Sequence, residues 1–171
     1  MLRFNSDHKF KIMQIADTQE IPAVSPDTLS LINNALDREK PDLVIFTGDQ
    51  IKGYSKKFKK DPAIIESTID ILVEPIAKRN IPFMVTYGNH DAQCGVDNRG
   101  QYKFYAKYDN FISGDLRNSD DVGTADIQIY SSTEDKPVFE LYIIDSHGKA
   151  KDGAGSVSYT HLRAHETRGN L

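Results

Sequence analysis

The sequence predicts an α/β fold built on an open sheet, and two patterns carry the prediction. Three short apolar segments, "KFKIMQIA", "PDLVIFT" and "IPFMVTY", are separated by two stretches in which apolar residues recur at helical spacing. The order strand, helix, strand, helix, strand with short links is typical of a parallel sheet with right-handed crossovers. We expect helices on both faces of this sheet.

The first strand is predicted from roughly Phe10 to Ala16, where the apolar alternation stops at Asp17. A helix start follows, because Ser25 is a favourable N-cap and Pro26 suits the first helical position. The apolar positions of this helix share one face: Leu29, Ile32, Ala35 and Leu36.

The second strand lies in "PDLVIFTGDQ", whose continuous apolar run indicates burial on both faces. A second helix is predicted to begin at Asp61-Pro62, and Pro75 should kink it or end it late. Its apolar stripe consists of four residues: Ile65, Ile69, Leu72 and Ile76. "IPFMVTYGNHD" then gives a third buried strand with a polar end.

After Gly100 the pattern changes to an aromatic-rich helix, which we interpret as core packing. The aromatic residues concerned are Tyr102, Phe104, Tyr105 and Tyr108. "TADIQIYSS" and "PVFELYIIDS" then read as two strands joined by a polar turn at Glu134 to Pro137.

The composition describes one ordinary globular domain of 171 residues, with 39% hydrophobic and 27% charged residues. The net charge of −4 argues against a general nucleic-acid binder, because such proteins are usually basic. Cys94 is the one cysteine and therefore has no internal disulfide partner. The N-terminus has no apolar leader and no segment reaches membrane-spanning length, so we expect a cytoplasmic enzyme.

Polar clusters end the three apolar strands: Asp17-Thr18-Gln19, Gly48-Asp49-Gln50 and Gly88-Asn89-His90-Asp91. Ligands of open α/β sheets bind beyond the carboxyl ends of the strands. Taken singly, an Asp after a strand is more often a cap or turn residue. Together, however, these oxygen ligands would converge, and Asp49 could bridge two cations such as Mn²⁺, Fe or Zn²⁺.

The three motifs "IADTQE", "FTGDQI" and "TYGNHD" together resemble those of the calcineurin-like metallophosphoesterase family, over roughly Lys9 to Ser146. "LYIIDS" is similar to the corresponding segment of the purple-acid-phosphatase-29-like branch. The resemblance implies a metallophosphoesterase-type β-sandwich flanked by helices, in αββα layers, truncated here at the C-terminus.

The resemblance also implies roles for the strand-end residues. Asp17 would bind the first metal ion, Asp49 would bridge both ions, and Asn89 would bind the second. His90 would act as proton donor or charge stabiliser near the leaving group, with Asp91 orienting its ring. The implied reaction is hydrolysis of phosphate mono- or diesters of a small substrate by a hydroxide that two metal ions activate.

The chain departs from the family's pattern in two places. Gln19 stands where most members have a second metal-binding His, and an amide oxygen is a weaker ligand than imidazole. No downstream G-H-x-H motif occurs, and we interpret His147 as a loop residue. This chain alone is therefore expected to have little activity.

A non-catalytic binding domain with a degenerate metal site stays open as the alternative function. A nucleotide-binding domain is a weaker alternative, because no glycine-rich phosphate loop follows the first strand.

Five lysines cluster in "KGYSKKFKK": Lys52, Lys56, Lys57, Lys59 and Lys60. A solvated loop is the ordinary interpretation of such a charge run, and a role in steering phosphate toward the site is the alternative.

The last residues offer a second possible metal motif, because His161 and His165 are four apart and Glu166 follows. Val157 to Thr167, however, reads codon by codon as the translation of a transposase adapter used in sequencing libraries. We therefore predict that residues 1–156 are the N-terminal part of the domain and that residues 157–171 are a non-native tail.

Overall fold

The computed structural model describes residues 1–113 and 122–146. Within these ranges it contains two three-stranded sheets and three α-helices. The strands are β1 (Leu2–Arg3), β2 (Ile12–Ile15), β3 (Leu43–Thr47), β4 (Phe83–Thr86), β5 (Ala125–Tyr130) and β6 (Pro137–Ile143). The helices are α1 (Pro26–Glu39), α2 (Pro62–Lys78) and α3 (Asn98–Ala106). His147 and residues 157–171 lie outside the described residues.

The first sheet has the strand order β2-β3-β4, and both pairings are parallel. Ile12 is paired with Leu43, and Val44 with Phe83, so the three strands run side by side in the same direction. The parallel sheet predicted from the alternating pattern is confirmed. Its central strand is β3, whose first four residues are buried, as the continuous apolar run predicted.

The three described helices pack on one face of this sheet, so the prediction of helices on both faces is wrong for the described part of the chain. The strands lie in sequential order, and right-handed crossovers between sequential neighbours all place their helices on the same side. The core on this side joins alternate residues of β3 and β4 to the helices: Val44, Phe46, Phe83, Val85, Ile32, Leu36, Ile65, Ile69, Leu72, Ile76 and Tyr105.

The opposite face is covered by the second sheet, which has the order β1-β5-β6. β5 and β6 are the two strands predicted on either side of a polar turn, and they pair antiparallel, whereas the parallel pairing of β1 with β5 was not predicted. A second core lies between the sheets and contains Leu43, Ile45, Met84, Ala125, Ile127 and Ile143. The residues of β3 thus alternate between the two cores, which gives the sandwich layering that the resemblance implied.

The helix starts are those that the sequence indicates. The Ser25 hydroxyl accepts a hydrogen bond from the N–H of Asp27 at 3.3 Å, and Asp61 Oδ1 accepts one from the N–H of Ala63 at 2.9 Å. Each cap precedes a proline at the first helical position. α2 continues through Pro75 and ends at Lys78. None of the helices in the described ranges has the length and apolar character needed to span a membrane.

Candidate metal centre

The strand-end clusters are brought together because the pairing of β2 with β3 continues beyond both strands. The N–H of Asp17 donates to the carbonyl of Gly48 at 3.0 Å, and the N–H of Gln19 donates to the carbonyl of Asp49 at 2.9 Å. Glu20 then forms an isolated parallel bridge with Ile51. The backbones that carry Asp17, Gln19 and Asp49 are therefore fixed side by side.

Left-handed backbone marks this edge of the sheet. Asp17, Gln19 and Asp49 have φ angles of 54°, 49° and 54°, a region that residues other than glycine rarely adopt. Gly48 has φ 105° and packs directly on the backbone of Gly88, so neither position has room for a side chain. The turns after β3 and β4 are thereby held in contact.

Asp49 lies at the centre of the candidate site. Its side chain is buried, with 7% of the residue surface exposed. Oδ1 accepts the backbone N–H of His90 at 2.9 Å, and Oδ2 accepts Nε2 of Gln19 at 3.2 Å. One carboxylate therefore contacts residues that follow each of the two neighbouring strands.

Asp91 has a different place from the one expected. Its carboxylate forms no hydrogen bond with the His90 ring among the described contacts and instead binds backbone, with Oδ2 accepting the N–H groups of Asp49 at 2.7 Å and Gly88 at 2.8 Å. Oδ1 accepts the N–H of Ile51 at 3.3 Å. Only 1% of the residue is exposed, and this burial raises the pKa of Asp91 to about 6, although the three hydrogen bonds act in the opposite direction. Asp91 thus joins the turns after β3 and β4.

The side chain within hydrogen-bond distance of the His90 ring is Gln93, which was not predicted. Nδ1 of His90 lies 3.2 Å from Oε1 of Gln93, and Nε2 of Gln93 donates to the carbonyl of Asn89 at 3.0 Å. The ring of Tyr54 packs edge-on against the imidazole with 4.8 Å between centroids. A glutamine three residues after the histidine, on the short 3-10 turn Asp91–Cys94, was the available sequence signal.

Two further buried polar residues support the site and were also missed. The Gln50 amide is oriented so that its Nε2 donates to the Asp91 carboxylate oxygens at 3.1 and 3.2 Å. Its oxygen then accepts the N–H of Gly48 at 2.8 Å. The Glu20 carboxylate accepts the N–H of Ser25 at 3.0 Å and the hydroxyl of Thr28 at 2.6 Å. Gln50 therefore completes the Asp91 network, and Glu20 connects the site to the start of α1.

The predicted ligand set offers two carboxylates and two amides. Asp17 and Asn89 are exposed, Gln19 is half-buried and Asp49 is buried, so the first three are accessible to an ion at the sheet edge. In the parts of the chain that the structure describes, no group of three or more His, Cys, Asp or Glu side chains is placed to hold a metal ion. The oxygens of Asp17, Asp49 and Asn89 suit a hard or borderline divalent ion, whereas the Gln19 amide here donates to Asp49 and would have to turn to present its oxygen.

Comparison with known proteins decides the family. Residues 10–167 match the family described as calcineurin-like phosphoesterase. The chain belongs to this family. The resemblance inferred from the three strand-end motifs is therefore confirmed. The matched range ends inside residues 157–171, and the adapter origin of that segment stays a prediction.

The relatives of this calcineurin-like phosphoesterase include one protein described as a phosphatase and others described as probable inactive phosphatases. The chain is 28% identical to the probable inactive purple acid phosphatase 14 of Arabidopsis thaliana, and the match covers 90% of the chain and 44% of the relative. It is 34% identical to the phosphatase DCR2 of Saccharomyces cerevisiae, with coverage of 85% and 28%. It is 27% identical to the probable inactive purple acid phosphatase 29 of Arabidopsis thaliana, with coverage of 85% and 42%. The chain therefore spans less than half the length of each of these relatives.

The fold of the family is also found by structural comparison. A crystal structure of a dimetal phosphatase from Danio rerio superposes with a TM-score of 0.54 at 16% identity. The match covers 91% of this chain and 50% of the other. The metallophosphoesterase fold predicted from the resemblance is thus confirmed.

Proposed function

We propose that the protein to which this chain belongs hydrolyses mono- or diesters of a small phosphorylated substrate with two divalent metal ions. Asp17, Gln19, Asp49 and Asn89 would hold ions such as Mn, Fe or Zn. The observation that carries the proposal is the position of Asp49, whose carboxylate contacts residues from the ends of both neighbouring strands. A bridging ligand needs this central place.

Two such ions, when bound, supply a nucleophilic hydroxide and neutralise charge on the phosphoryl group. The residues of the chain supply positioning. The N–H of His90 fixes one oxygen of Asp49, which sets the direction in which the carboxylate faces. Asp91 holds the backbone N–H of Asp49 and so positions the ligand without facing the substrate.

His90 has the geometry of a proton donor. Its Nδ1 is occupied by Gln93 and its ring by Tyr54, while Nε2 has no hydrogen-bond partner among the described residues. The Gln93 oxygen accepts the proton on Nδ1, so in the imidazolium form the second proton, on Nε2, would be available to the oxygen of a departing alcohol. Gln93 acts on the reaction through the ring, because its oxygen contacts Nδ1 while its amide nitrogen is held by the carbonyl of Asn89.

The first experiment is hydrolysis of p-nitrophenyl phosphate by the full-length protein with Mn²⁺. We expect Asp49→Asn to abolish activity and Asp109→Asn, the same change at an exposed position away from the site, to preserve it. Equal activity of Asp49→Asn and the unchanged protein would contradict the proposal.

The second experiment tests His90 with two leaving groups. Phenol is a poorer leaving group than p-nitrophenol, so a missing proton donor should matter more for phenyl phosphate. We expect His90→Asn to lower kcat for phenyl phosphate by about 10²–10⁴-fold, and that for p-nitrophenyl phosphate by clearly less. An equal loss on both substrates would assign His90 to charge stabilisation instead.

A second candidate is a non-catalytic binding domain of the same fold. Gln19 in place of a histidine favours it, and two of the relatives are described as probable inactive phosphatases. Metal analysis of the full-length protein separates the candidates. Two equivalents of metal per chain support the enzyme, and none supports the binding domain.

A further inference from the structure

A cavity lies beside Tyr54 and Gln93, two residues that contact His90. It has a volume of about 270 Å³ and lies between the lysine-rich loop and the 3-10 turn that carries Gln93. We name it the lysine pocket. Its lining includes Tyr54, Lys56, Lys59, Lys60 and Gln93.

The lysine pocket is strongly cationic. No carboxylate is among its described lining residues, and within residues 1–113 and 122–146 Lys56, Lys59 and Lys60 form no ion pair. The nearest carboxylate along the chain, Asp61, is used as the N-cap of α2 through its bond to Ala63. Three lysines that line one cavity without an ion-pair partner among the described residues favour an anion in that cavity.

The loop backbone is fixed in a way that places these side chains. Phe58 is buried in the main core and anchors the loop. Lys59 and Lys60 follow with φ angles of 53° and 55°, so two consecutive residues lie in the left-handed region where glycine or asparagine is easier. The stem of Lys60 packs against Gly95, on the far side of the pocket. The left-handed conformation of Lys59 caps the short 3-10 turn Lys56–Phe58, which turns the chain so that Lys59 and Lys60 line the pocket.

The pocket shares two walls with the candidate catalytic residue. Tyr54 and Gln93 line it, and both also contact the His90 ring, at 4.8 Å between centroids and at 3.2 Å respectively. Gly53 packs directly against the carbonyl of His90. A group in the pocket and a group at Nε2 of His90 are therefore near enough to belong to one small molecule.

We propose that the lysine pocket binds a second phosphoryl group of the substrate, so that the enzyme prefers small molecules with two phosphoryl groups. Its volume of about 270 Å³ is ample for one phosphoryl group. The inference rests on the proposed function, because that function places the ester to be cleaved at His90 and Asp49.

The test compares 1,3-propanediol bisphosphate with 1,3-propanediol monophosphate as substrates of the full-length protein with Mn²⁺. We expect a higher kcat/KM for the bisphosphate. Lys56→Gln/Lys60→Gln should lower it about tenfold, the size of one lost charge-assisted contact, and leave the monophosphate nearly unchanged. The matched control is Lys9→Gln/Lys57→Gln, which removes the same charge from exposed positions that do not line the pocket. Equal kcat/KM for the two esters, or equal losses in both double variants, would overturn the proposal.

A binding measurement keeps the subsite testable if neither ester is hydrolysed, an outcome that would refute the proposed function alone. In metal-free protein we expect the bisphosphate to shift the amide NMR signals of Gly53 and Gly95, and Lys56→Gln/Lys60→Gln to abolish the shift. Absence of a saturable shift overturns the subsite. Equal binding of inorganic phosphate and the bisphosphate, without a kinetic preference, assigns the pocket to free phosphate and overturns it as well.

Discussion

Oδ2 of Asp91 accepts the backbone N–H of Asp49 at 2.7 Å. The two residues are 42 positions apart in the chain and follow different strands, so the bond connects the turns after β3 and β4. Because Oδ2 also accepts the N–H of Gly88, a single oxygen fixes the backbone on both sides of the candidate metal centre. Asp91 is thus a structural part of the site.

Asp91 should make stability depend on pH in the metal-free protein. Burial raises its folded-state pKa from 3.8 to about 6, so the folded protein binds more protons than the unfolded protein between these values. The contribution of Asp91 to the free energy of unfolding is therefore fully present below pH 3.8 and is lost as the pH rises through about 6. Urea denaturation in EDTA at a series of pH values measures it.

Asp91→Asn is the comparison for this prediction, because asparagine does not titrate. The unfolding free energy of the unchanged protein, minus that of Asp91→Asn, should fall as the pH rises through this window. Asp109→Asn, at an exposed position, should show a flat difference. A flat difference for Asp91→Asn too would rule out the raised pKa.

Gly88→Ala should destabilise the protein and disturb Asp49. A Cβ at position 88 meets the carboxylate and the backbone nitrogen of Asp49, neither of which can move without breaking the bonds described above. We expect the free energy of unfolding to fall by about 1–3 kcal/mol, as for other overpacked sites. Thermal or urea denaturation measures this change.

Gly100→Ala is the matched control for Gly88→Ala. Gly100 lies in α3, where a new Cβ meets the side chain of Val96 and not backbone. Alanine is more stable than glycine in a helix, and this gain offsets part of the cost of moving the Val96 side chain. A loss at Gly100 as large as that at Gly88 would show that the close approach to Asp49 has no special cost.

Gln19→His should raise metal affinity in the full-length protein. Imidazole nitrogen is a better ligand than an amide oxygen for Zn²⁺ or Mn²⁺, and the position already faces Asp49 through the 3.2 Å contact of its side chain. We expect the dissociation constant of the weaker site to fall by about tenfold, the lower end of the effect of a ligand-sphere change. Calorimetric titration with Zn²⁺ measures it, and Gln128→His, on the exposed side of β5, should leave it unchanged.

Tyr108→Phe should weaken the contact between α2 and the turn that follows α3. The Tyr108 hydroxyl donates to Oδ1 of Asp70 at 2.7 Å, and Lys107 also pairs with that carboxylate. We expect a loss of about 1.5 kcal/mol in the free energy of unfolding, the lower end for a hydrogen bond to a charged group. Tyr130→Phe, whose hydroxyl makes an exposed 3.4 Å contact with Gln128, should change stability less. Equal effects would contradict the prediction.

The strand-end positions of Asp17, Asp49 and Asn89 could be predicted from sequence because they depend on periodicity alone. Apolar runs of strand length that alternate with capped helices leave few topologies, and parallel strands end at one edge. The same reasoning placed Ser25 and Asp61 as caps, since an N-cap is a local interaction.

The roles of Asp91 and Gln93 could not be predicted in this way. Both depend on how a 3-10 turn folds back against the loop after β3, which is a tertiary contact without a periodic signal. The placement of helices on one face was missed for a related reason. The side on which a helix packs follows from the order of the strands in the sheet, here β2-β3-β4. The alternation of strands and helices along the chain does not reveal that order.

The left-handed backbone at Asp17, Gln19 and Asp49 lowers the stability of the protein at the positions that would bind the metal ions. Glycine or asparagine adopts this region with less strain, so a library of variants selected only for stability should drift toward those residues at positions 17 and 19. A library selected for phosphate release should keep Asp17 and Gln19 as oxygen ligands of the ions and tolerate their strained backbone. The difference between the two selected populations, position by position, would be a direct measure of how much stability this edge of the sheet has given up for its ligands.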